Sequence, residues 1–104
     1  SQSRFVRAAF NKLNSVTGEG ETDGVNQFFH ILGGVQFSRG CCKGVNDYEI
    51  TVYTSCCDVE KGIYYYTTYE NHMINAVKMH NVNLDDEELF RYPHIKSEQF
   101  NFQN

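Results

Sequence analysis

Three runs decide the fold: Tyr48-Glu-Ile-Thr-Val-Tyr-Thr-Ser-Cys-Cys57, Gly62-Ile-Tyr-Tyr-Tyr-Thr-Thr-Tyr69 and Met73-Ile-Asn-Ala-Val-Lys-Met79. Val, Ile, Thr and Tyr dominate them, and such side chains suit a pleated, half-buried surface. The polar breaks between them, Asp58-Val-Glu-Lys61 and Glu70-Asn-His72, have hairpin length, so the predicted product is an antiparallel meander of three strands. In the first run Ile50 and Val52 share one face, opposite Glu49, Thr51 and Tyr53. The middle run has no polar face, because Ile63, Tyr65, Thr67 and Tyr69 alternate with Tyr64, Tyr66 and Thr68. A strand of that kind needs cover on both sides.

Upstream, residues 1–14 predict a helix in which Phe5, Val6, Ala9, Phe10 and Leu13 form an apolar stripe, with Ser3 as candidate N-cap. Ser15 to Gly24 reads as a polar loop. A second helix follows, capped by Asp23, with Val25, Phe28, Phe29 and Leu32 as its stripe and Gly33-Gly34 as its end. Val35 to Gly40 is a connector, and Gly44 to Asp47 turns the chain into the meander. Downstream, Asn83 to Leu89 predicts a short acidic helical turn capped by Asn83. The tail from Arg91 to Asn104 alternates weakly and is expected to add an edge strand. The fold class from residues alone is α+β.

The totals narrow the chemistry. A chain of 104 residues is one small domain, able to bury roughly 65% of its unfolded surface. A net charge of −4 argues against nucleic acid, which rewards a basic patch. No apolar run approaches membrane-spanning length, and the start, Ser-Gln-Ser-Arg-Phe, has neither a basic leader nor an initiator Met. The four cysteines stand as two adjacent pairs, Cys41-Cys42 and Cys56-Cys57. Neighbours seldom bond to each other, the C-x-x-C spacing of a zinc site is absent, and four reduced thiols in a cytosolic protein is the simplest reading.

Single residues give little more. His30, His72, His80 and His94 make no i, i+4 pair with a carboxylate, so no metalloprotease-like site is expected. None of the cysteines has an evident local base. Ser1 as a terminal nucleophile would use its own amine, but nothing else in the sequence supports that. Arg4 opens a helix, where the dipole mildly disfavours a cation. The Tyr64-Tyr65-Tyr66 cluster reads as sheet packing rather than a ligand platform. A catalytic domain and a binding module with an aromatic sheet both remain open at this level.

Four motifs, taken in order, go further: Ser3-Arg-Phe-Val-Arg-Ala-Ala-Phe10, Asn26-Gln-Phe-Phe-His-Ile-Leu32, Tyr53-Thr-Ser-Cys-Cys57 and Lys61-Gly-Ile-Tyr-Tyr-Tyr-Thr-Thr-Tyr69. Their order and spacing resemble the C-terminal portion of the choloylglycine hydrolase family, which comprises bile salt hydrolases and penicillin V acylases. The run Lys61 to Tyr69 is closer to the former. The likeness implies that residues 1–104 are the C-terminal portion of a single domain, part of a four-layer αββα N-terminal-nucleophile hydrolase sandwich. It implies a cysteine at the mature N-terminus that attacks a linear amide, its own α-amine acting as base. That cysteine would lie upstream, and none of the four present matches its position.

The resemblance carries one catalytic position into this chain: the arginine of Ser-Arg-Phe, which is Arg4. It would sit near the nucleophilic sulfur, lowering the thiol's pKa and offering a rigid fork of donors to developing charge. The implied substrate is a glycine- or taurine-conjugated bile salt. No cofactor or metal is implied. The implied partner, beyond the remainder of the chain, is further copies in a homotetramer, and the implied location is cytoplasmic. A penicillin V acylase, or a binding module that kept the fold, are the alternatives.

Overall fold

A computed structural model describes residues 1–104. The element order is α1 (Gln2–Asn14), α2 (Glu21–Gly33), β1 (Tyr53–Asp58), β2 (Ile63–Thr68), β3 (Asn71–Lys78) and a short 3-10 turn (Met79–Asn81). The α+β class is as expected, with two helices followed by an antiparallel meander in the order β1-β2-β3. The chain divides into two compact units, Ser1–Thr51 and Val52–Asn104. No helix is long and apolar enough to cross a membrane.

In the first unit α1 packs on α2. The cap of α1 is Ser1, not Ser3: its Oγ accepts the Arg4 backbone N–H at 3.4 Å. The helical period is as expected, but of the expected stripe only Ala9 lies on the packed side. Phe5, Val6, Phe10 and Leu13 are 75%, 62%, 64% and 80% exposed, while Arg4, Ala8, Ala9 and Asn11 are half-buried. Small side chains allow close approach on that side: a Cβ on Gly34 would stand 2.6 Å from Asn11 Nδ2. The α2 helix starts two residues ahead of Asp23, at Glu21, because Gly20 caps it with φ of 91°, a conformation that favours glycine. Asp23 falls instead in the first turn beside Glu21, where acids suit the positive end of the helix dipole.

The first strand is shorter than the sequence suggests. Tyr48 to Thr51 turns its hydrogen bonds back into the first unit: Glu49 N–H donates to the Cys42 carbonyl at 2.8 Å and Thr51 N–H to the Phe37 carbonyl at 3.2 Å. Pairing with β2 begins only at Tyr53, opposite Thr68. In the turn that follows β1, Asp58 Oδ1 accepts the backbone N–H groups of Glu60 and Lys61 at 3.1 and 3.0 Å, and Gly62 takes φ of 66°. The β2–β3 turn is tighter than the expected Glu70–His72 break, since Thr68 already pairs with Asn71.

Register places Tyr53, Ser55, Cys57, Tyr64, Tyr66 and Val77 on one face of the sheet, with Cys56, Tyr65, Ile63 and Ala76 on the other. The buried side chains are the polar Thr54, Thr68 and Asn71, and no apolar residue is buried.

Two downstream expectations are corrected. Asn83 to Leu89 forms successive turns, not a helix: Asn83 Oδ1 accepts from Asp85 N–H and Asp86 Oδ1 from Glu88 N–H. Short polar side chains that bond their own backbone compete with helix formation. The tail adds no edge strand. Its carbonyls are taken by side chains instead: Thr68 Oγ1 donates to Ile95 at 2.8 Å and Asn71 Nδ2 to Ser97 at 2.8 Å.

Candidate functional site

Arg4 is the third residue of α1, and its side chain leaves the helix for the connector that follows α2. Its Nε–H donates to the Val35 carbonyl at 3.1 Å. Its guanidinium carbon lies over the Phe37 ring, 4.7 Å from the centroid. A cation over an aromatic face gains about 0.5–2 kcal/mol, the more so when desolvated, and here the residue is half-buried. The two contacts are of different kinds. The hydrogen bond fixes the Nε edge of the planar group and the ring contact fixes its face. The N–H groups of the two Nη atoms are its remaining donors. Arg7, one turn on, is exposed.

The connector is itself held. Phe37 N–H donates to Thr51 Oγ1 at 2.8 Å, and Thr51 N–H returns to the Phe37 carbonyl at 3.2 Å. Nothing in the sequence pairs Val35, Phe37 or Thr51 with Arg4, because a contact between residues 4 and 35 leaves no local periodicity. An isolated Phe between Gln36 and Ser38 was the sole hint.

The cysteines are all free thiols. Cys42 Sγ donates to Glu49 Oε2 at 3.4 Å. That hydrogen bond, then desolvation and the charge of Glu49, push its thiol above the ordinary value. Burial, then Cys57, pushes Cys56 up as well. Both shifts oppose thiolate formation, the reverse of what a nucleophile needs. Among the histidines, His30 lies exposed in the last turn of α2. His72 belongs to β3 rather than to a turn, with its Nδ1 2.5 Å from Glu98 Oε2. His94 Nε2 stands 4.0 Å from Glu70 Oε2. On one sheet face Tyr53, Tyr64, Tyr66, Val77, Tyr92 and His94 line an open hollow of about 460 Å³. The Tyr64 and Tyr66 rings lie 5.9 Å apart and tilted, an ordinary same-face sheet contact.

Comparison with known proteins gives this geometry its class. A sequence profile of linear amide C–N hydrolases, choloylglycine hydrolase family, matches residues 1–92. The chain belongs to the choloylglycine hydrolase family. It is 52% identical over 99 residues to a bile salt hydrolase/transferase of Lactiplantibacillus plantarum, covering 94% of this chain and 30% of that protein. It is 42% identical over 103 residues to a bile salt hydrolase/transferase of Clostridium perfringens, covering 98% and 31%. A crystal structure of a variant conjugated bile acid hydrolase from Clostridium perfringens superposes with a TM-score of 0.83 at 41% identity, over 98% of this chain and 31% of that one. The chain thus spans about three tenths of the length of the relatives it matches.

Proposed function

We propose that this chain is the C-terminal portion of a conjugated bile salt hydrolase, which cleaves the amide of glycine- or taurine-conjugated bile acids. The observation that carries the reading is its 52% and 42% identity to two proteins named for bile salt hydrolysis. In the proposed reaction a cysteine thiolate, at a mature N-terminus upstream of these residues, adds to the amide carbon. The C–N bond breaks, the amine leaves with a proton, and a thioester remains. Water then attacks the thioester, releasing the steroid acid and restoring the thiol. An amine in place of water would complete an acyl transfer, one reading of the transferase in those relatives' names.

Arg4 is the one residue of this chain we assign to that chemistry. Two features support the assignment: its guanidinium is anchored at Nε by Val35 and on its face by Phe37. A fixed cation beside a thiol favours the thiolate, and donors held in place need no reorganisation as charge develops. The cysteines of the chain take no part, in keeping with the upward shifts at Cys42 and Cys56. By the same resemblance, we place the protein in the cytoplasm as a homotetramer.

The test is hydrolysis of glycocholate and taurocholate, read by released amine. The 104-residue chain alone is expected to be inactive, since it lacks nucleophile and base. In the full-length protein Arg4→Ala is expected to lower turnover by about a hundredfold or more, as loss of a transition-state donor does, with Arg7→Ala near the parent. Turnover by the isolated chain, or equal small effects of the two substitutions, would refute the assignment.

A further inference from the structure

We infer that Phe37 is a positioning residue for Arg4 and that Thr51 fixes Phe37 in turn. This rests on the reading of Arg4 as the residue that faces the reacting thiol and amide.

An arginine in the first turn of a helix is not placed by the helix. Its side chain has about 2 kcal/mol of rotamer entropy, and the positive end of the dipole mildly repels it. Something else must hold it if it is to meet a reacting group at hydrogen-bond distance. The Val35 carbonyl takes the Nε–H at 3.1 Å, and the Phe37 ring lies 4.7 Å beneath the guanidinium carbon. Either contact alone leaves a rotation open. The hydrogen bond allows the plane to swing about it, and the ring allows the plane to spin on its face. Together they fix both.

Both anchors sit on a segment that is neither helix nor strand. That segment would hold nothing unless it were held itself. The Val35 end is tied back to α2 by its N–H to the Leu32 carbonyl at 3.1 Å, and Thr51 restrains the Phe37 end, because it engages both backbone polar groups of Phe37: Oγ1 accepts its N–H at 2.8 Å and the Thr51 N–H reaches its carbonyl at 3.2 Å. The Thr51 β-hydroxyl accepts through the side chain while the same residue's backbone N–H donates. Phe37 is half-buried between the exposed Gln36 and Ser38, with the Arg4 cation on its face. The relay runs Thr51, Phe37, Arg4, and no step in it makes or breaks a covalent bond.

The experiment is kinetic and uses the full-length enzyme with a glycine-conjugated bile salt. Phe37→Leu keeps an apolar side chain and removes the ring face. It is expected to lower kcat roughly tenfold, the scale of a part-buried cation–π contact, with KM little changed and the acid limb of kcat/KM moved to higher pH. Phe37→Tyr keeps the face and is expected to stay near the parent. Thr51→Val is expected to follow Phe37→Leu, and Thr51→Ser to restore activity; this pair tests the relay even where Phe37→Leu fails to fold. In an Arg4→Ala background Phe37→Leu is expected to add no further loss. Equal effects of Leu and Tyr at Phe37, or a full Phe37→Leu loss without Arg4, would overturn the relay and leave a packing role. If Arg4→Ala is damaging and Phe37→Leu and Thr51→Val are both silent, the relay alone fails. If Arg4→Ala is itself silent, the assignment of Arg4 fails and the relay falls with it.

Discussion

Glu98 grips His72 with both carboxylate oxygens: Oε2 lies 2.5 Å from the ring Nδ1, and Oε1 accepts the His72 backbone N–H at 3.2 Å. The pair ties the C-terminal tail to the start of β3, where Thr68 and Asn71 already hold the carbonyls of Ile95 and Ser97. It also explains why the Glu98 carboxyl titrates below its ordinary value. The His72 ring contributes most and the backbone bond next, against a smaller opposing effect of desolvation.

That depression fixes the sign of a pH effect. A carboxyl whose folded pKa is lowered adds stability above its unfolded pKa, and this is lost as pH falls through the folded value. The expected outcome is a tail that loosens only on strong acidification. In a carboxyl-carbon NMR titration Glu98 should show a midpoint below that of an ordinary glutamate, and Glu98→Gln should abolish the acid-side change in His72 amide protection. A normal midpoint would dismiss the grip.

Asn71 is 1% exposed, the most buried side chain in the chain. Its Nδ2 donates to Ser97 at 2.8 Å and its Oδ1 accepts from Met73 N–H at 2.9 Å. Asn71→Ala would leave both partners without a bond, at a cost of about 1–3 kcal/mol. Urea unfolding of the full-length protein should report that loss, and limited trypsin digestion should cut faster at Lys96. No change in either would mean that the tail is held by something else.

Glu49 pushes the Cys42 thiol above its ordinary value through its hydrogen bond and charge. Glu49→Gln should therefore speed alkylation of Cys42 by iodoacetamide at mildly alkaline pH, resolved from Cys41 by peptide mass spectrometry. An unchanged Cys42 rate would dismiss a role for the Glu49 charge.

Phe5, Leu13, Phe100 and Phe102 are 75%, 80%, 76% and 80% exposed in this chain. Phe100 and Phe102 stand together, their ring centroids 6.3 Å apart, and exposed apolar rings in contact favour association. Purified by itself, the chain should bind a hydrophobic dye and associate in sedimentation velocity. A sharp, monomeric thermal transition without dye binding would contradict this.

Legibility in the sequence followed the range of the interaction. The helices, the meander and the doubly apolar middle strand come from patterns within ten or so residues, and those were readable. The errors lie where a distant partner redirects a local preference. Tyr48 to Thr51 has strand composition, but Cys42 and Phe37 take its hydrogen bonds. The tail alternates as an edge strand would, but Thr68 and Asn71 take its carbonyls. The stripe of α1 is a true helical stripe, yet the unit packs on Arg4, Ala8 and Asn11 beside it.

By itself the sequence determined the α+β class, the three-strand order and, through four motifs, the family. It also singled out Arg4, because motif identity survives without coordinates. Only the tertiary structure decided what Arg4 touches. Val35 and Phe37 reach it across 31 or more positions through a carbonyl and a ring face, and the Thr51 hydroxyl in turn holds Phe37. Such contacts depend on where two segments meet in space, and neither segment carries that information in its own residues.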